Sequence, residues 1–541
     1  MKQEPHKDLI IIGGGVNGAA IARDASLRGL SVLLLEANDF GCGASGNNGR
    51  MIHGGLRYLE TGQIGLVRDA LRERATLLKV APHIVKAQTL LIPSYKNSGR
   101  PGWMVRMGLL VLDVLAFGVA PMHRRLSRKV TLSRVGSLRS NNLSGAYIMH
   151  DAFAENSERL TIENIIDAAA LNADIRNRCR VRDVSRNPSN SLSVRWSGPQ
   201  GDDVCSAPVV VNATGAWADD FLSGGTVANS QMVTKAAGSF LVMRSFEGGP
   251  KEAVFFEAKS DGRPIIIVPW HGNYLIGTTD REIEGPVAEV QAKADDIDYL
   301  FDALSNTFDA SRFDRSDILF TYSGVRPLPR KSGASHKISR DHVIHHHEAP
   351  LNGMVTVLGG KLSTFRSLAE EVTDSVYDLL GKKSPTSVTA RRPLPGAKHS
   401  GKAAKEELAD SELSERTQER LLDLYGGRSK QILQLTIKAQ DLAEVIDETS
   451  GAIAAEFVFA VESEFAQSLA DILLRRTLLG YRTGRGRDLI DHFRWIARQH
   501  LEWSSARIEN DIEEYKAQLA ATDGTMFHTT DHRVAADERV I

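Results

Sequence analysis

The chain has 541 residues, 42% hydrophobic and 25% charged, with a net charge of −1. That is the composition of a folded protein, and it excludes both general disorder and a global electrostatic pull toward nucleic acid. Its length predicts roughly two to four folding units. Three cysteines (Cys42, Cys179 and Cys205) with no C-x-x-C pair argue against a disulfide framework and a Cys-rich zinc site, and fit a reducing compartment such as the cytoplasm. No secretory signal is expected at the N-terminus.

In chain order, residues 9–12 read as an apolar strand running into three glycines. Residues 16–28 read as a small-residue helix closed by Gly29, and residues 31–35 as a second strand ending at Glu36. Two strands joined by one helix make a parallel βαβ unit. Residues 41–50, all small or polar up to Arg50, predict a loop, and residues 66–80 a helix. The most apolar stretch, 103–122, is broken by Arg106 and Asp113, so it falls short of the ~20 residues that span a bilayer. It reads as a buried or cap helix. The alternative is a membrane-surface helix, favoured by the basic residues Arg124, Arg125, Arg128 and Lys129 that follow. A helix is expected over 157–175, then β-like alternation through Val194 and Val211. Two strands, 265–270 and 274–279, flank a three-residue loop, His271-Gly272-Asn273. Residues 355–358 form a strand meeting Gly359-Gly360, with a helix starting near Ser363. His342, His345, His346 and His347 read as a surface strand or loop rather than a metal site. Residues 391–396 (RRPLPG) are a linker, which places a boundary near residue 390 with a charged, mostly helical region beyond.

The run Gly13-Gly14-Gly15-Val16-Asn17-Gly18 matches G-x-G-x-x-G between a strand and a helix, with Glu36 eighteen residues further on. Gly13 serves the tight turn, Gly15 the approach of a pyrophosphate, and Gly18 the contact of helix with strand. The helix N-terminus attracts phosphate, and Glu36 accepts from a ribose. Two later segments favour FAD over NAD: the strand-to-turn segment 209–217 with Thr214 and Gly215, and the donor-rich turn Gly359-Gly360-Lys361-Leu362-Ser363.

Cations lie among glycines in His53-Gly54-Gly55-Leu56-Arg57-Tyr58, in Ser323-Gly324-Val325-Arg326-Pro327 and at Lys361. If they converge, they form a pocket for a dianion. The segments IIGGGVNGAAIARDASLRGLSVLLLEA, MIHGGLRYLE, VVNATGAWA, IGTTD, TYSGVRPLPR and GGKLSTFRSLAE, with the tail segment LADILLRRTLLGYRTGRGRD, resemble FAD-dependent glycerol-3-phosphate dehydrogenases and the related α-glycerophosphate oxidases in the same order. The resemblance implies an α/β fold: a glutathione-reductase-type (Rossmann-like) FAD-binding domain with an antiparallel β-sheet substrate cap, plus a C-terminal all-α domain. On that plan, FAD-binding segments at about 1–80, 145–225 and 320–390 alternate with cap segments at about 81–144 and 226–319, and 391–541 is the helical domain.

The resemblance also implies oxidation of sn-glycerol 3-phosphate to dihydroxyacetone phosphate, with electrons passed to quinone in the dehydrogenases or to oxygen in the oxidases. It implies a homodimer at the inner face of a membrane. His53, Arg57, Tyr58, Arg326 and Lys361 stand at the family's substrate-contacting positions, with Arg340 a further candidate and Ser45 in a segment that lines the flavin. His53 is the expected base, because an imidazole titrates near working pH; Arg326 is expected either to stabilise the developing alkoxide or to hold the phosphate, with Arg57 and Lys361 on the phosphate oxygens. The chain departs from the family pattern twice. A Ser-Ser-rich stretch with Lys before Ile-His-Gly-Gly is replaced by Ala44-Ser45-Gly46-Asn47-Asn48-Gly49-Arg50-Met51. The usual Asp-Asp-Ala-Arg-Leu is replaced within residues 155–160, Glu-Asn-Ser-Glu-Arg-Leu. These departures leave room for another polyol phosphate such as erythritol phosphate. The rivals are an FAD amino-acid or amine oxidase, which needs one cation for a carboxylate, and a flavin scaffold of another class.

Overall fold

A computed structural model describes residues 5–55, 59, 62–96, 100–116, 118, 120–223, 231–330, 342–398 and 402–528. Arg57, Tyr58 and Arg340 lie outside the described residues.

Leu9–Ile12, the helix Val16–Leu27 and Val32–Leu35 form the expected unit, with Leu9–Ile12 paired parallel to Val32–Leu35. Every residue of both strands is buried. Buried on both faces, they are apolar without alternation, as a parallel sheet requires. Around them lies a six-stranded sheet in the order Val343–His346, Met354–Leu358, Val209–Asn212, Leu9–Ile12, Val32–Leu35, Asp174–Arg176. Only Val343–His346 runs antiparallel, at the edge, and it carries His345 and His346 exposed to solvent. The helices Val16–Leu27, Glu158–Ala170 and Phe365–Leu379 supply much of the apolar core on the sheet's helical side.

A second sheet of ten strands forms the cap. Its spine is Val233–Arg244, Asn273–Gly277, Pro264–Trp270, Ala253–Glu257, Lys86–Tyr95 and Leu143–Phe153. Pairings within it are antiparallel except where Ala253–Glu257 meets Lys86–Tyr95. Three strands cross the sequence-based division. Met51–Ile52 lies wholly, and Leu143–Phe153 and the long Ile318–Pro329 lie mostly, in stretches assigned to FAD binding, yet all three pleat into this cap sheet. The hairpin loop is also shorter than expected. Trp270 pairs directly with Asn273, leaving His271 and Gly272, both at positive φ (48° and 77°), as a two-residue turn that matches the strand twist. Beyond residue 398 the described chain is helical apart from the short pair Val445–Asp447 and Ala452–Ile453.

The apolar helix forms over Gly102–Leu115, and it is not a buried one. Leu109 and Leu112 face inward, while Trp103 (67% exposed), Met104, Met107, Val111 and Val114 (74%) face solvent. Among the described residues, no helix is long and apolar enough to cross a membrane.

Candidate functional site

A cavity of about 620 Å³ opens at the carboxyl ends of the parallel strands, lined by Gly13, Gly15, Asn17, Glu36, Ser45, Thr214, Gly215, Gly359, Gly360, Lys361 and Leu362 among others. Eleven of the thirteen sequence-predicted cofactor positions thus share one wall, where ligands of open α/β sheets bind. The other two are Gly18 and Ser363. A Cβ on Gly18 would stand 2.0 Å from the Gly13 carbonyl oxygen, so Gly18 serves the strand–helix contact, as expected. Ser363 is buried beside the wall, its hydroxyl without a partner among the described residues.

The turn is held from both sides. Gly14 N–H donates to Glu36 Oε2 at 2.6 Å, and Asn38 N–H to Glu36 Oε1 at 2.7 Å. Burial pushes the Glu36 carboxyl up against the pull of those two amides. Each of its oxygens retains a lone pair for a ribose hydroxyl. Val16 N–H, in the first helical turn, donates to Ser45 Oγ at 2.9 Å, so Ser45 ties the 41–50 loop to the helix N-terminus. The remaining first-turn amides have no intrahelical acceptor and suit a pyrophosphate. Asn17 Oδ1 is buried with no hydrogen-bond partner among the described residues, an orphaned acceptor on the cavity wall. Gly15 faces open space except for Ser45 Oγ, 3.2 Å from where its Cβ would be. These features fit a dinucleotide. Cys42 also lines the cavity, its thiol pushed up to about 12 by burial, so it stays protonated and inert.

The cations divide. Lys361 lines the cavity with its Nζ buried. Val325 and Pro327 line it too, and strand alternation turns Arg326 the other way. Its guanidinium reaches across Val233–Arg244, donating to the Thr279 carbonyl at 3.0 Å and to Asp280 Oδ1 at 2.9 Å. Asp280, with a side chain 1% exposed, also accepts from Arg263 at 3.0 Å through Oδ2. A Cβ on Gly238 would meet Arg326 Nη2 at 2.9 Å, so that glycine admits the arginine. Sequence reasoning missed Asp280, Arg263 and Gly238. The only local signal was the quoted IGTTD segment, which gives no hint of its partner. His53 is half-buried just past Met51–Ile52. Its neighbour Gly54 donates N–H to Asp151 Oδ1 at 2.8 Å, and Arg74 donates to the same oxygen at 2.8 Å. Burial pushes the Asp151 carboxyl up, against the pull of Arg74 and the Gly54 amide.

The two departures from the family pattern meet each other. Arg50, 1% exposed, donates to both oxygens of Glu158, at 2.6 and 2.7 Å. Its guanidinium stacks 4.4 Å from the Trp270 ring and 5.2 Å from the Tyr481 ring. Two changes 108 positions apart are one bidentate pair. Beside it, Tyr322 donates its hydroxyl to the Asn48 carbonyl at 2.8 Å, and a Cβ on Gly324 would stand 1.9 Å from Asn47 O. The 47–50 segment is therefore pressed against the cap sheet.

The family described as FAD dependent oxidoreductase matches residues 8–366, and the one described as C-terminal domain of alpha-glycerophosphate oxidase matches residues 387–508. The chain is similar to a glycerol-3-phosphate dehydrogenase of Synechocystis, 36% identical over 94% of this chain and 95% of that one. It is also similar to a glycerol-3-phosphate dehydrogenase of Mycobacterium leprae, 31% identical over 95% and 88%. Among solved structures, the glycerol-3-phosphate dehydrogenase of Bacillus halodurans complexed with FAD superposes with a TM-score of 0.77 at 25% identity, covering 96% of this chain and 95% of that one.

Proposed function

This chain belongs to the FAD-dependent glycerol-3-phosphate dehydrogenase family, and on that footing we propose that it oxidises sn-glycerol 3-phosphate to dihydroxyacetone phosphate and passes the electrons to quinone. The observation that carries this reading is a dinucleotide cavity with the buried Lys361 ammonium on its wall, a fixed cation for a phosphate group. Bound FAD supplies the hydride acceptor. His53 takes the hydroxyl proton, on a backbone anchored through Gly54 to Asp151. Arg326 faces Asp280 rather than the cavity, so its role in this proposal is to position the wall strand that carries Val325 and Pro327, and Lys361 with Arg57 and Tyr58 holds the phosphate end. Arg340 remains a further candidate for the phosphate.

Peripheral attachment to the inner face of the cell membrane is supported by the exposed apolar side of Gly102–Leu115. Asp113 on that helix accepts from His123 N–H at 3.1 Å, which seats the exposed Arg124 and Arg125 beside it. An apolar face with adjacent cations suits anionic lipid. The division near residue 390 rests on the linker at residues 391–396 and the charged, helical sequence beyond it, and a homodimer is carried over from the family resemblance. Turnover is tested with glycerol 3-phosphate, erythritol phosphates and D-amino acids, each read with a quinone-like dye and with oxygen. Turnover of glycerol 3-phosphate with the dye supports the proposal; peroxide release with amino acids alone refutes it.

A further inference from the structure

The loop that lines one side of the FAD cavity, residues 36–45, is held chiefly by residues far along the chain. Asp39 sits between the wall residues Asn38 and Gly41 and is itself 1% exposed. Both of its oxygens are taken by Arg476, at 2.8 and 2.9 Å, and Arg475 Nε donates to one of them. Burial opposes the charge on Asp39, yet Arg476 and Arg475 more than offset it and keep the carboxyl well below its ordinary range. The two arginines end a π-helical turn, Ile472–Arg476, in which Thr477 N–H reaches the Ile472 carbonyl at 2.8 Å. Such turns are rare and sit often at functional positions.

The contact is broader than one pair. Phe40 meets Phe465 edge-on at 5.9 Å. Asn177 donates to the Phe465 carbonyl at 2.8 Å, and Arg178 donates to both oxygens of Asp471, at 2.8 and 2.9 Å. The amides of Arg178 and Cys179 in turn donate to the Asn38 and Glu36 carbonyls, at 2.9 and 2.7 Å. Five residues beyond the loop, Arg50 is fixed by Glu158, which also accepts from the Tyr481 hydroxyl at 3.2 Å. The loop therefore rests on the C-terminal region through Asp39 and Phe40, and the segment just after it through the stacking of Arg50 on Tyr481.

We propose that the C-terminal helical region clamps the cofactor loop, with Arg475 and Arg476 acting as positioning residues for FAD retention through Asp39. None of these arginines lines the cavity; they act by keeping the loop in its binding arrangement. A site that is competent only a fraction of the time binds more weakly by that fraction. The inference depends on FAD occupying the cavity and is independent of which alcohol is oxidised.

The test measures FAD release from the holoenzyme, by dialysis and by the fluorescence of freed flavin. The variants are Arg475→Gln, which leaves Arg476 in place, and Arg476→Gln, which removes the bidentate grip. Arg420→Gln is the comparison, because Arg420 pairs with Glu456 in the same region at 2.9 Å and leaves the loop untouched. If the loop of Arg476→Gln is in place about a tenth of the time, its FAD dissociation constant rises about tenfold. Arg475→Gln rises less, and Arg420→Gln lowers thermal stability while keeping its FAD. If Arg476→Gln does not fold, Arg475→Gln decides: unchanged FAD affinity overturns the clamp. Equal FAD loss in Arg420→Gln also overturns it, since general loosening of the helices would then suffice.

Discussion

Glu158→Ala strips the carboxylate from a fully buried arginine, and Arg50→Met leaves the reciprocal charge stranded. Breaking a buried pair by removing one partner costs about 3–5 kcal/mol, whereas replacing both partners with apolar groups is close to neutral. Arg50 keeps its stacking on Trp270 and Tyr481 in the first variant, which places that loss at the lower end, about 3 kcal/mol. In the second, the Tyr481 hydroxyl still donates to Glu158, so the charge is only partly compensated. Melting entropy near 2.1 cal/mol/K per residue means that a chain of this size melting as one unit loses about 1 °C per kcal/mol. Each single variant should therefore lower the Tm of the FAD-loaded enzyme by about 3–5 °C in scanning calorimetry. The double variant should lose no more than one single does. A double variant whose loss equals the sum of the singles would refute the pairing as an energetic unit.

Asp280→Asn removes the charge that anchors Arg326. A hydrogen bond to a charged group contributes about 1.5–3 kcal/mol, so kcat/KM for glycerol 3-phosphate should fall by about ten- to a hundredfold with FAD content unchanged. Steady-state kinetics showing an unaltered kcat/KM would contradict the assignment of Arg326. Trp103→Ser with Val114→Ser should weaken co-sedimentation with anionic vesicles on the order of a hundredfold while sparing turnover with a soluble dye. Unchanged sedimentation would remove the helix from the membrane contact. Asp511 is raised by burial from 3.8 to about 6, so the fold favours its neutral form. Its contribution is fully present below pH 3.8 and is lost as pH rises through about 6. Asp511→Asn keeps an acceptor for Leu469 N–H and should be more stable than the parent at pH 7.5, by at most about 3 kcal/mol, with no gain at pH 3.5. A gain that persists at low pH would exclude titration as its cause.

The cofactor half of the site was legible because its signals are local. Three glycines, a small-residue helix and an acidic residue at one spacing fix a βαβ unit whatever lies elsewhere, and the strands fall within a residue of expectation. What the sequence hid depends on distant partners. Arg50 and Glu158 looked like two unrelated departures until the fold brought them to one salt bridge. Asp280 carries no local mark of the arginine 46 positions away. The grip of Arg475 and Arg476 on Asp39 spans more than 430 positions. The hairpin loop was overcounted because Asn273 reads as a turn residue, although its backbone completes the ladder with Trp270. The apolar stretch gave its helix but not its exposure, since periodicity cannot say which face a neighbour covers.

Anaerobic mixing of the FAD-loaded enzyme with sn-glycerol 3-phosphate, followed in the oxidised flavin absorbance band, tests the family's chemistry in this chain without any downstream acceptor. Loss of that band at a rate saturating with substrate, with dihydroxyacetone phosphate formed mole for mole with flavin, is the predicted result. An absorbance that stays constant with glycerol 3-phosphate but falls with an amino acid would contradict it.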